Sequence, residues 1–246
     1  MILKIKNRTN LISSFLNPIC KISERCVIKV EKDHMSSLVA TPDGTLILYT
    51  KFDHETEFDG DDSVALNVAD LNKIVKILSY IDKEDIELNI ENNSIAYKDN
   101  DIQFNYFLLE DGVINAPAVV IDKLKKVEYQ SSFTLSRGAM NNISRLAMYA
   151  SDSEKVYLYT NDGSVVSELN DRKRHNINNA SVKVSDTFKG TEIEKPIPIK
   201  YENFRVISAS QRNDINIFIN TELSVLMFQT SDEQSSTAYF MSGLVA

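Results

Sequence analysis

The sequence predicts an α+β fold of two similar domains in tandem, each with two helices packed on one face of an antiparallel sheet. Three observations predict it. Displaced by about 129 residues, the chain matches itself in the order of its elements. Within each half, stretches with apolar residues at helical spacing alternate with short runs of period two. The balance of 43% hydrophobic and 25% charged residues is that of a chain able to bury a core.

The first helix is read from Leu11, Ile12, Phe15, Leu16 and Ile19, which fall on one face. Its counterpart begins at Ser136, an N-cap residue type, and carries Met140, Ile143, Leu146 and Ala147. A strand follows each: Cys26-Val27-Ile28-Lys29-Val30 in the first half, Lys155-Val156-Tyr157-Leu158-Tyr159 in the second. Turn residues come next, Lys32-Asp33-His34 and Pro42-Asp43-Gly44 against Asn161-Asp162-Gly163, and predict hairpins. The second helix of the first half spans 70–81, with Leu71, Ile74, Val75, Leu78 and Ile81 on its apolar side; its counterpart spans 201–210. The best local match is Asp85-Ile86-Glu87-Leu88-Asn89-Ile90 against Asp214-Ile215-Asn216-Ile217-Phe218-Ile219, each opening a run of three strands. The domains expected are 1–110 and 132–246, joined by a connector over 111–131.

No run of residues is apolar over the length that crosses a bilayer, and the start lacks the long apolar region of a signal peptide, so a cytoplasmic protein with no membrane partner is expected. Cys20 and Cys26 fit that compartment as reduced thiols.

Catalytic chemistry finds little to stand on. His34, His54 and His175 each fall in or beside a turn or polar loop. Cys20, Cys26 and His34 are too loosely spaced for zinc, and Asp59-Gly60-Asp61-Asp62 lacks the spacing and closing glutamate of a calcium loop. The seven glycines form neither a phosphate-binding loop nor a dinucleotide fingerprint, and no nucleophile elbow occurs. No catalytic residue, metal or cofactor is expected, and the protein reads as a non-enzyme.

Charge is informative through its distribution. The chain has 27 Lys and Arg against 35 Asp and Glu, a net charge of -8. Acids crowd the loops and strands, whereas the polar sides of the helices carry Lys73 and Lys76, Arg137 and Arg145, and Arg205 with Arg212 just beyond; Lys6, Arg8 and Lys21 flank the first helix. Such stripes suit phosphates, while the acidic remainder discourages indiscriminate binding. Without a base-reading helix or a stacking series, any contact should be to the DNA backbone and independent of sequence.

Asp70-Leu71-Asn72 with Ile77-Leu78-Ser79, the amphipathic first helix and the element order of both halves resemble the DNA polymerase sliding clamps, and most closely the processivity factors of large tailed bacteriophages. The resemblance covers nearly the whole chain in layout. It implies a subunit of a homotrimeric ring that encircles double-stranded DNA and tethers the replicative DNA polymerase, with a clamp loader as a further partner. It also implies an apolar pocket for a partner peptide near the connector, for which position nominates Val119, Val120, Ile121, Leu244 and Val245. The alternative is a non-catalytic phage capsid or tail protein with a duplicated α+β unit, which has no reason to separate its basic from its acidic residues.

Overall fold

A computed structural model describes residues 1–57, 63–91, 93–174, 176–211 and 213–244. The Asp59-Gly60-Asp61-Asp62 cluster, His175, Arg212 and Val245 therefore lie outside the described residues. Two compact units are present. The first comprises Met1–Thr41, Ile47–Val119 and Ser231–Thr237; the second comprises Pro42–Leu46, Val120–Thr230 and the chain from Ala238 onward.

In the first unit the strands are β1 (Ile2–Ile5), β2 (Cys26–Val30), β3 (His34–Ala40), β4 (Leu46–Asp53), β5 (Glu55–Glu57), β6 (Val64–Val68), β7 (Ile86–Glu91), β8 (Ser94–Lys98) and β9 (Gln103–Phe107). They form not one sheet but two, in the orders β5-β1-β7-β8-β9 and β4-β3-β2-β6. Alternation explains the choice of faces. In β7 the isoleucines and leucine at 86, 88 and 90 are buried while Glu87, Asn89 and Glu91 are exposed.

The first helix is continuous over 8–20 but changes pitch. It runs from α1 (Arg8–Asn10) through a π-helical stretch, Leu11–Leu16, into α2 (Asn17–Cys20). Pro18 supplies the reason, since it has no N–H to give the carbonyl four residues back. The N–H of Asn17 bonds instead to the carbonyl of Ile12, five residues back. Helix α3 (Leu71–Ser79) begins where the side chain of Asp70 accepts from the N–H of Lys73, and it buries Leu71, Ile74 and Leu78. It packs against the π-helical stretch and α2.

The second unit repeats this plan. Its strands are β10 (Ser131–Leu135), β11 (Lys155–Asn161), β12 (Ser164–Leu169), β13 (Ala180–Ser185), β14 (Lys189–Gly190), β15 (Ile197–Lys200), β16 (Ile215–Asn220), β17 (Val225–Ser231) and β18 (Ser235–Ser242). The last of these is divided between the units at Thr237. The strand orders β14-β10-β16-β17-β18 and β13-β12-β11-β15 match those of the first unit strand for strand. A short helix not expected from the sequence, α4 (Ile121–Lys125), precedes β10. Helix α5 (Arg137–Tyr149) packs on β12, β13 and α6 (Tyr201–Ser210). The β11–β12 hairpin turns on Asp162 and Gly163, both at positive φ, as the Asn-Asp-Gly sequence requires.

Among the described residues, His54 and Ser167 bury polar side-chain atoms without a hydrogen-bond partner. Both ring nitrogens of His54, between β4 and β5, are buried without a hydrogen bond of acceptable geometry. Burial holds its pKa below the ordinary 6.5, outweighing the nearby carbonyls of His34 and Glu55, which favour the proton. The ring is therefore neutral in the fold but free to charge when unfolded. Its contribution to stability is complete above the unfolded value and is lost as pH falls from there through the folded value. Between pH 7.5 and 5.5 the urea midpoint should fall for the natural chain and fall less for His54→Phe, which also removes the unpartnered nitrogens; equal pH dependence in the two would contradict this.

Candidate nucleic-acid interface

The helices place the sequence-predicted cations in three distinct situations. Two arginines hold the fold together. Arg8 donates from Nη1 to the carbonyl of Leu78 (3.0 Å), from Nε to that of Lys83 (2.9 Å) and from Nη2 to Glu84 Oε1 (3.1 Å). Its side chain is only 11% exposed. In the second unit Arg137 donates from Nη1 to the carbonyls of Ser208 (2.8 Å) and Gln211 (2.6 Å). Each arginine thus starts one helix of its unit and satisfies carbonyls at the C-terminal end of the other, where a cation is also favoured by the helix dipole. The carboxylates complete the arrangement. Glu84 Oε2 accepts from the N–H of Thr9, and Asp214 Oδ1 from that of Arg137. Hydrogen bonds from the Thr9 backbone and hydroxyl, with the Arg8 charge, keep Glu84 below the usual carboxylate range.

A second group is paired at the surface. Lys6 makes an ion pair with Glu55, Lys73 reaches Asp70 at 3.4 Å, and Arg205 holds Glu202 at 2.6 Å. The three cations are 62–74% exposed, so the pairs stabilise little and can be exchanged for other anions. The third group, Lys21 at the end of α2, Lys76 on α3 and Arg145 on α5, points into solvent. No acidic residue occurs within 8–20, α3 or α5; Glu202 in α6 is the exception. In each unit, then, a packed pair of helices buries its apolar stripe and shows solvent a side whose charges are almost all positive.

Among the described residues, Val120 and Ile121 are not brought together with Leu244 in one pocket. Val120 is 54% exposed. Leu244 instead lines an open groove of about 590 Å³ in the second unit with Ile193, Ile197, Pro198 and Leu223; Val120 and Ile121 do not line it. The tail is fastened there by the N–H groups of Gly243 and Leu244, which donate to the carbonyls of Ser224 (2.5 Å) and Pro198 (2.7 Å). Glu192, Glu194 and Glu222 stand around the groove with Lys195. The sequence held a signal for it in Pro196-Ile197-Pro198, since prolines in a strand mark a sheet edge.

Neither cysteine is poised as a nucleophile. Burial pushes the thiol of Cys20 up to about 11 and that of Cys26 up to about 12, leaving both protonated near neutrality. Among the described residues no group of three or more His, Cys, Asp or Glu could hold a metal ion. No helix among them is long and apolar enough to cross a membrane.

No family model matches the sequence, and no curated protein matches it closely enough to count. Solved structures do match the fold. The chain is similar to A. fulgidus PCNA bound by the C-terminal region of FEN-1, with a TM-score of 0.77 at 12% identity over 99% of both chains. Proliferating Cellular Nuclear Antigen from Entamoeba histolytica gives 0.77 at 12% identity over 99% of this chain and 98% of that one. PCNA from Thermococcus kodakaraensis gives 0.77 at 8% identity over 99% of both. The chain therefore has the sliding-clamp fold.

The division among cations is testable by stability alone. Replacing Arg137 by Met removes two charge-assisted bonds and should lower the free energy of urea unfolding by about 2 kcal/mol. Arg145→Gln should stay within about 0.5 kcal/mol of the natural chain, as exposed substitutions do. Comparable losses from the two would overturn the assignment.

Proposed function

We propose that this chain is a subunit of a sliding clamp, a ring that encloses duplex DNA without reading its sequence and tethers a replicative polymerase to the primer end. The observation that carries the reading is the placement of exposed cations, Lys73, Lys76 and Arg145, on acid-free helices of a chain whose net charge is -8, in a fold shared with PCNA structures. Three chains would carry -24, three times -8, and still show the duplex a positive lining. With so few phosphate contacts per subunit, retention comes from topology, and the weak contacts only centre the duplex and let it slide.

Closing a ring needs sheet edges that meet. The strands β9 and β13 end their sheets, and β9 closes on Phe107, an aromatic residue 69% exposed. Pairing β9 of one chain with β13 of the next would satisfy both edges and bury that ring, repeating the same contact three times around the circle. The resemblance in helix motif favours a phage replication system, working in the host cytoplasm with its own polymerase and clamp loader.

Partner proteins would dock on the groove beside Leu244 through a short segment with an apolar anchor. What supports a peptide-like partner is a similar structure in which the C-terminal region of FEN-1 is bound to A. fulgidus PCNA. Tethering there raises the polymerase's effective concentration at the primer end without any change in its chemistry.

Light scattering at micromolar concentration should give three times 27.8 kDa. Lys76→Glu combined with Arg145→Glu should keep that mass and the melting temperature while sharply lowering processive synthesis. A monomer, or processivity unchanged by the double reversal, would sink the proposal.

A further inference from the structure

The densest positive run in the chain is not on a helix stripe. It is Arg172-Lys173-Arg174, in the loop between β12 and β13. The equivalent loop of the first half, between β3 and β4, is the short acidic turn Pro42-Asp43-Gly44. The hairpin needs neither the extra length nor the cations.

This loop lies against the C-terminal end of α5. Arg174 Nη1 donates to the carbonyl of Asp152 (3.3 Å), and Ser153 Oγ to that of Asn178 (3.4 Å). There α5 shows solvent Arg145, Met148 (76% exposed) and Tyr149 (61% exposed). Spacings of three and four residues put Met148 and Tyr149 on the same side as Arg145. Arg172 is already committed, to Glu168 at 2.6 Å and over the ring of Tyr157 at 4.6 Å. Lys173, by contrast, is exposed and makes no ion pair among the described residues. The result is an exposed aromatic ring with Arg145 one turn before it on α5 and Arg174 held just beyond the helix end, the pairing that takes single-stranded nucleic acid by stacking a base and holding its phosphates. Asp152, Glu154 and Asp171 lie nearby and oppose a polyanion, so the binding should be weak and strongly dependent on salt.

We propose that the end of α5 together with Lys173 and Arg174 forms a contact for single-stranded DNA, with Tyr149 stacking on an unpaired base. The contact is separate from the cations of α3 and does not require a closed ring. It provides a place for the unpaired template beside a duplex that the helices enclose.

The test is fluorescence anisotropy of a labelled oligothymidylate with the full chain at low salt. Tyr149→Ala and Lys173→Glu should each weaken binding at least fivefold, and Lys173→Glu with Arg174→Glu should also flatten the salt dependence. Lys73→Glu with Lys76→Glu should leave oligothymidylate binding within twofold while weakening retention on duplex, which separates this contact from the clamp function. Unchanged affinity in Lys173→Glu or Tyr149→Ala, with melting temperature preserved, overturns the proposal. Binding lost equally in the Lys73 and Lys76 variant also overturns it, as a contact spread over the whole basic surface.

Discussion

Each unit is held in shape by one arginine that begins a helix and closes the end of its neighbour. Arg8 and Arg137 stand 129 residues apart, and each follows a side-chain cap, Asn7 or Ser136, also 129 apart. A helix end buried against another element leaves carbonyls that water cannot reach, and a guanidinium can satisfy several at once in fixed geometry. With the two helices of a unit locked in this way, their apolar stripes are fixed on the sheets and their polar sides are fixed outward. The direction in which Lys76 or Arg145 points depends on that lock.

This separates two kinds of basic residue that look alike in sequence. Arg137 and Arg145 are eight apart on one helix, and spacing alone assigns both to the exposed stripe. The structure gives Arg137 to Ser208 and Gln211, residues about seventy positions away, and leaves Arg145 outside. Nothing local distinguishes them. The repeat does carry a hint, because an arginine recurring at the start of the first helix of both halves points to a fold requirement.

Element order was legible because it rests on local periodicity: the helix expected over 70–81 forms over Leu71–Ser79, and the strand expected at Cys26 begins there. The division of each half into two sheets was not, because alternation shows that a strand has a buried side but not which strands lie beside it. The π-helical stretch before Pro18 was hidden for a different reason. Its apolar residues Leu11, Phe15 and Leu16 fit ordinary helical spacing, and only the missing N–H disturbs it. The groove beside Leu244 is lined from three separate stretches of chain, 192–198, 221–224 and 243–244, and positional reasoning from the connector could not assemble them.

The proposed clamp function rests on retention by topology rather than by affinity, and linear duplex with blocked ends measures that directly. The protein would be incubated with a duplex blocked at one end, the second end blocked afterwards, and the mixture passed over a sizing column in moderate salt. The account predicts that protein stays with the DNA when both ends are blocked and is lost when one remains free. Retention that does not depend on the ends, or none with both blocked, would contradict it.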